Sequence, residues 1–314
     1  MNKKIAFVFP GQGSQTVGML DSFENHPVVL DTLRDASAAI GFDLGQMIHD
    51  GPATTLALTE NTQPVMLAAA IAIYRVWLDS GGHKPALLAG HSLGEYTALV
   101  AAEALTFEEA IPLVRFRAQA MQTVVPIGAG GMAAVMGASD EVVSQLCAAS
   151  QARTGKVVEA VNFNAPNQVV IAGYKEAVDD ACAHAKEVGA RMAIPLDVSA
   201  PFHSSLLRPA ADQLQDYLSA VTLHEPKIAF INNVDVQIIH DPIKIKDALI
   251  RQSYSPVRWV QTVQLMVAQG ITHIVECGPG KVLSGMIKRI DGNLKILSIS
   301  DQASIQHALE ELNI

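Results

Sequence analysis

Cysteine is scarce in this chain, and so are charge, long apolar runs and clusters of metal-ligating side chains. Only Cys147, Cys182 and Cys277 occur in 314 residues. None forms a CxxC pair, and an odd number cannot all pair within one chain, so reduced thiols in a cytoplasmic setting are expected rather than a disulfide framework. Charged residues make up 17%, and 22 Lys and Arg face 31 Asp and Glu for a net charge of -9. That balance argues against a nucleic-acid partner tracked by the whole surface and leaves room only for a local basic patch. The most hydrophobic stretch, 65–74, stops at Arg75, well short of the ~20 residues a membrane helix needs. The first apolar run meets Pro10 and Gly11, too soon for a signal sequence, so neither export nor a membrane is expected. No HExxH, Cys/His cluster or closely spaced carboxylate set points to a metal. Internal repeats and low-complexity segments are absent as well.

What is present is a chain that is 49% hydrophobic and long enough to bury one large core or two unequal ones. Short apolar runs ending in glycine or polar turns alternate with longer segments of helical period, the pattern of an α/β protein with a mostly parallel sheet. Residues 5–9, 86–91, 228–231 and 274–277 read as buried strands; 64–78, 93–104, 107–124, 204–221 and 256–269 read as helices. Between them the order is strand 132–136, helix 141–151, strands 157–162 and 169–172, helix 176–188 and strand 191–196. That βαββαβ order is ferredoxin-like. The sequence therefore predicts a hydrolase-like large α/β domain with a parallel sheet, residues 1–125 and 198–314, interrupted by a small ferredoxin-like domain at 126–197.

Gly90-His91-Ser92-Leu93-Gly94 follows a predicted strand and opens a predicted helix, the context a nucleophile elbow requires. Glycine at 90 and 94 relieves the crowding of a sharp strand-to-helix turn and leaves the Ser92 hydroxyl projecting. A serine nucleophile needs a base, and the chain offers ten histidines. His91 alternates with Ser92 and should point away from it. His203 stands in an irregular loop after a strand, where site residues collect in parallel-sheet proteins. The group orienting the base is open among Asp197, Asp212 and Asp235. Arg117 has Leu113, Val114, Ala120 and Met121 as its helical neighbours, so its charge lies on a face that should be buried. Such a charge needs either an internal acid or a ligand anion. Two phosphate motifs fail: GQGSQT lacks the third glycine at Thr16, and the loop ending GPGK lacks a Walker glycine at Val275.

These residues belong to a longer set of strings: FVFPGQGSQ (7–15), TQPVML (62–67), GHSLGEYTAL (90–99), the Arg117 helix, NFNAPNQVVIAG (162–173), PFHS (201–204), NNVD (232–235), RQSYSPVRW (251–259) and ECGPGKVL (276–283). Their content and order resemble the malonyl-CoA:acyl carrier protein transacylases of bacterial fatty acid synthesis. The resemblance implies malonyl transfer from malonyl-CoA to the phosphopantetheine thiol of acyl carrier protein, by a ping-pong path through a malonyl-serine and without a cofactor. It gives Ser92 the role of nucleophile and His203 that of base and acid, with the Gln252 main-chain carbonyl holding the histidine. Gln12 and Leu93 match the backbone donors of an oxyanion hole, and Arg117 the clamp on the malonyl carboxylate. Asn162 matches a supporting polar residue, and Phe202 a bulky residue set against branched α-carbons. A stand-alone polyketide synthase acyltransferase and an acyl hydrolase of the same fold are the alternatives. An acidic carrier protein would dock on Lys288 and Arg289, with Lys281 on the same helix. Pro112 should kink the Arg117 helix, and the tail from Asp301 reads as a terminal helix.

Overall fold

The computed structural model describes residues 3–126, 128–198 and 200–314. The chain starts with β1 (Ile5–Phe9), α1 (Pro27–Ile40), α2 (Leu44–Asp50), α3 (Ala53–Leu56), α4 (Thr59–Asp79), β2 (Leu87–Gly90), α5 (Leu93–Ala101) and α6 (Phe107–Thr123). A central run follows of β3 (Gly130–Met136), α7 (Asp140–Thr154), β4 (Val158–Ala165), β5 (Gln168–Tyr174), α8 (Lys175–His184) and β6 (Met192–Pro195). It closes with α9 (Arg208–Ala220), β7 (Phe230–Ile231), α10 (Pro242–Gln252), α11 (Trp259–Ala268), β8 (His273–Cys277), α12 (Val282–Ile290), β9 (Lys295–Ile299) and α13 (Gln302–Leu312).

One sheet is parallel, in the order β7-β2-β1-β8-β9; the other is antiparallel, in the order β4-β5-β3-β6. The fold is therefore the expected mixed α/β type. β1 shows why the parallel strands read as unbroken apolar runs. Phe7 and Phe9 pack edge-on against Tyr74 of α4 on one face, with Trp77 beside Phe7, while Ala6 and Val8 join Trp259, Val263 and Ile287 on the other. Both faces are covered by helices, so neither parity of the strand meets water. The antiparallel sheet buries one face under α7 and α8, through Val135, Val143, Leu146 and Ile171. Its other face carries Met132, Val170 and Ala172 onto Met121, Phe202 and Leu207. Backbone bonds from Phe163 N to Val257 O and from Val257 N to Val161 O stitch β4 to the segment before α11.

Several boundaries differ from the sequence expectation. β9 was not anticipated, because KILSI is only partly buried and lacks a continuous apolar signal. Pro64 does not begin a helix but lies inside α4, which starts at Thr59. The predicted helix at 204 begins instead as a single 3-10 turn at Ser205–Leu207, and α9 starts beside Pro209 in its first turn, where a missing N–H costs nothing. Pro112 lies inside α6, which continues past it to Thr123 and carries Arg117 on the same helix. The strand expected at 228–231 shortens to Phe230 and Ile231.

Candidate active site

The C-terminal ends of β1, β2 and β8 open onto one cavity of about 220 Å³, lined by the 10–14 loop, His91, Ser92, Arg117, His203 and residues of α12 and the antiparallel sheet. This is where open parallel sheets collect their ligands. Ser92 caps α5 with φ 53 and ψ -108, a conformation that L-residues avoid unless their surroundings enforce it. The enforcement is steric and polar. A Cβ on Gly90 would lie 1.8 Å from the Gly94 carbonyl, and one on Gly94 would lie 2.1 Å from the Phe9 oxygen. From the other side, Asn233 Oδ1 accepts from Ser92 N at 2.8 Å while its Nδ2 donates to Gly90 O at 2.7 Å.

His203 is buried, has φ 66 and brings Nε2 within 2.7 Å of Ser92 Oγ. Its Nδ1 donates to the Gln252 main-chain carbonyl at 2.8 Å. None of the three aspartates considered from sequence takes that place. Asp235 pairs with Arg251, and Asp197 and Asp212 are exposed. Burial, reinforced by the positive Arg117, pulls the imidazole down to about 3, so it is a neutral acceptor at ordinary pH. His91 turns its Nε2 to Asn164 Oδ1 at 2.8 Å and sets its ring edge-on to Trp259. It borders the same cavity but bonds away from Ser92.

Arg117 is 2% exposed, and its partners are neutral. Nη1 donates to Gln63 Oε1 at 2.8 Å, and Nη2 donates to Gln252 Oε1 at 2.9 Å and to Ser92 Oγ at 3.2 Å. The Tyr96 ring lies 5.3 Å from the guanidinium carbon. Of the two ways to satisfy this cation, an internal acid in direct contact is not used among the described residues. Glu95, 1% exposed, stands one amide away: its Oε2 accepts from Gln252 Nε2 at 2.8 Å and from Asn233 N at 3.1 Å. Burial pushes this carboxyl up to about 7, against the opposing pull of the Gln252 and Asn233 donors.

Gln63, Glu95 and Asn233 were not singled out from sequence. Each lay inside a quoted string, and Glu95 carried the same signal as Arg117, a charge with Ala98 and Leu99 beside it on its helix. The other expected residues gather unequally. Gln12, Asn162 and Phe202 border the cavity. Leu93 opens α5, where backbone N–H groups lack intrahelical acceptors. Lys281 precedes α12 rather than sharing its helix with Lys288. Arg289 is exposed but tethered to neutral oxygens: it donates to Gln168 Oε1 and, at 3.3 Å, to Pro166 O, tying α12 to the β4–β5 turn.

A serine at a helix-opening elbow, a histidine held by a main-chain carbonyl and a buried cation at the reacting oxygen define an acyl-transfer centre. The acyl transferase domain family matches residues 6–293. A malonyl CoA-acyl carrier protein transacylase of Haemophilus influenzae is 50% identical over 311 residues, covering 98% of this chain and 99% of that one. The crystal structure of an acyl-carrier-protein S-malonyltransferase from Burkholderia pseudomallei superposes with a TM-score of 0.96 at 60% identity, covering 98% of this chain and 99% of that chain. A malonyl-transacylase in complex with a type II polyketide acyl-carrier protein gives a TM-score of 0.96 at 45% identity over 98% of this chain and all of that one (100%). The chain belongs to the malonyl CoA-acyl carrier protein transacylase family of acyltransferases.

Proposed function

We propose that this enzyme moves the malonyl group of malonyl-CoA to the phosphopantetheine thiol of an acyl carrier protein through a malonyl ester on Ser92. The observation that carries the reading is the convergence on Ser92 Oγ of a neutral imidazole at 2.7 Å and a guanidinium at 3.2 Å. His203 Nε2 takes the hydroxyl proton as Oγ forms its bond to the thioester carbonyl. The oxyanion gathers between the backbone amides of Gln12 and Leu93. The carbon–sulfur bond breaks, and CoA leaves as the thiol with the proton His203 has held. The carrier thiol then attacks the ester by the same path in reverse.

Arg117 accepts the free malonyl carboxylate in place of its Ser92 bond, the longest of its three. Asn162 and Phe202 shape the cavity around the acyl chain, and Phe202 excludes branched α-carbons. No cofactor or metal enters this scheme, because a thioester is already activated. The carrier docks on the exposed Lys281, Lys288 and Arg289, on the segment whose Val282, Leu283 and Met286 line the cavity, and a nucleic-acid partner has no place in the scheme. No helix among the described residues is long and apolar enough to cross a membrane, and the unpaired thiols of Cys147, Cys182 and Cys277 suit a reducing cytoplasm.

Incubation with malonyl-CoA, then intact-protein and peptide mass spectrometry, tests the scheme. A malonyl adduct on Ser92 that is discharged by holo acyl carrier protein is expected. An adduct on another residue, or discharge to water at the same rate with and without carrier, would reject it.

A further inference from the structure

Gln252 serves both halves of the centre. Its main-chain carbonyl accepts from His203 Nδ1, while its side-chain Oε1 accepts from Arg117 Nη2 and its Nε2 donates to Ser92 O at 2.9 Å and to Glu95 Oε2 at 2.8 Å. A primary amide can rotate and exchange its oxygen for its nitrogen. Rotated, it would turn N–H groups toward a guanidinium that can only donate. The cation on one side and the carboxylate on the other make a single orientation favourable, and burial strengthens that preference.

We propose that Glu95 is a positioning residue for carboxylate recognition: through the Gln252 amide it holds Arg117 ready to receive an acyl carboxylate beside Ser92. The inference rests on the reading of Arg117 as the carboxylate clamp. The intervening amide matters. A direct Arg–Glu pair would occupy the forked donors that the ligand needs, whereas an acid one amide away orients the cation and leaves part of its fork free. Glu95 also accepts from Asn233 N, so the same carboxylate braces the residue that holds the Ser92 backbone.

The groups facing Glu95 are Arg117 from α6, Asp235 and Asn233 from the loop after β7 and Gln252 from α10, with His203 beyond the Gln252 carbonyl. Because burial lifts Glu95 to about 7, mild acid removes its charge while His203 stays neutral. Preference for a carboxylated acyl group should therefore weaken as pH falls through about 7.

The test is transfer to holo acyl carrier protein from malonyl-CoA and acetyl-CoA by the parent, Glu95→Gln, Glu95→Asp and Arg117→Ala enzymes. For Glu95→Gln the malonyl-to-acetyl ratio of kcat/KM should fall by about tenfold or more, mainly through KM for malonyl-CoA, and its pH dependence should vanish. Glu95→Asp, with the charge kept but the reach shortened, should fall less and keep the pH dependence. If Glu95→Gln does not fold, the Glu95→Asp ratio and its pH profile decide alone. Equal losses on both substrates, or an unchanged ratio while Arg117→Ala abolishes the preference, overturn the role of Glu95. An Arg117→Ala enzyme that keeps the parental preference overturns the clamp reading on which it rests.

Discussion

His203 Nδ1 and the main-chain oxygen of Gln252 lie 2.8 Å apart, so a peptide carbonyl stands where many serine enzymes place a carboxylate. A carbonyl fixes the tautomer and the ring plane as an aspartate would, but it adds no negative charge to stabilise an imidazolium. With the ring buried and Arg117 nearby, protonation of the ring is disfavoured twice over.

That relationship sets a pH prediction. The imidazole, at about 3 when folded against 6.5 in its ordinary state, remains a competent base through mild acid. Single-turnover acylation by acetyl-CoA, which makes no demand on Arg117, should show no inflection near pH 6.5. Stability follows the sign of the shift: below about 6.5 the unfolded chain takes the proton that the folded chain refuses, so the contribution of this group is complete above 6.5 and drains away toward 3. Parent and His203→Gln denaturation midpoints should diverge on acidification, with the parent losing more. A kinetic inflection at 6.5 that persists in Glu95→Gln would count against a depressed imidazole.

Arg117→Ala should lose about ten- to several-hundred-fold in kcat/KM for malonyl-CoA, from roughly 1.5 to 3 kcal/mol or more for a charge-assisted contact at 1.4 kcal/mol per tenfold. Acetyl-CoA must leave the guanidinium without an anion, so its kcat/KM should hold or rise. Lys at this position should rescue little, since a point charge does not reproduce the planar fork. Proportional loss of both substrates with an early thermal transition would mark a purely structural arginine.

Asn233→Ala removes both bonds that clamp the elbow, to Ser92 N and Gly90 O. The buried Gly90 carbonyl then loses its partner, at about 1–3 kcal/mol, and the part-buried Ser92 N–H loses its own. A lower melting temperature and slower acylation by malonyl-CoA and acetyl-CoA alike are expected, in contrast to the selective loss in Arg117→Ala. An Asn233→Ala enzyme with parental acylation rates would mean that the elbow holds its conformation without this side chain.

Carrier docking divides the basic residues near α12. Charge reversal of Lys281 and Lys288, both exposed, should raise KM for carrier protein with little change for malonyl-CoA, and the effect should shrink in high salt. Arg289→Glu should in addition release the β4–β5 turn that forms part of the small sheet, disturbing both substrates. Identical behaviour of all three variants would contradict that division.

The sequence alone determined the alternation of buried strands and helices, the βαββαβ order and the elbow, because these follow from local periodicity and from glycines at fixed spacing. It marked Ser92, His203 and Arg117, since a serine between glycines, a histidine in a post-strand loop and a charge on an apolar helical face are local anomalies. β9, half-exposed and weakly patterned, escaped notice for the same reason.

What satisfies each anomaly was decided only by tertiary structure. Gln63, Glu95, Asn233 and Gln252 are polar residues on α4, α5, the loop after β7 and the end of α10, and a one-dimensional pattern does not state which of them meet. A main-chain carbonyl as the histidine's partner leaves no side-chain trace at all, because every residue carries one. Sequence could pose the choice between an acid and a ligand anion for Arg117, but the neutral amides that hold it come from two distant helices, and the burial that makes a cation there costly arises only when the sheet and helices close around it.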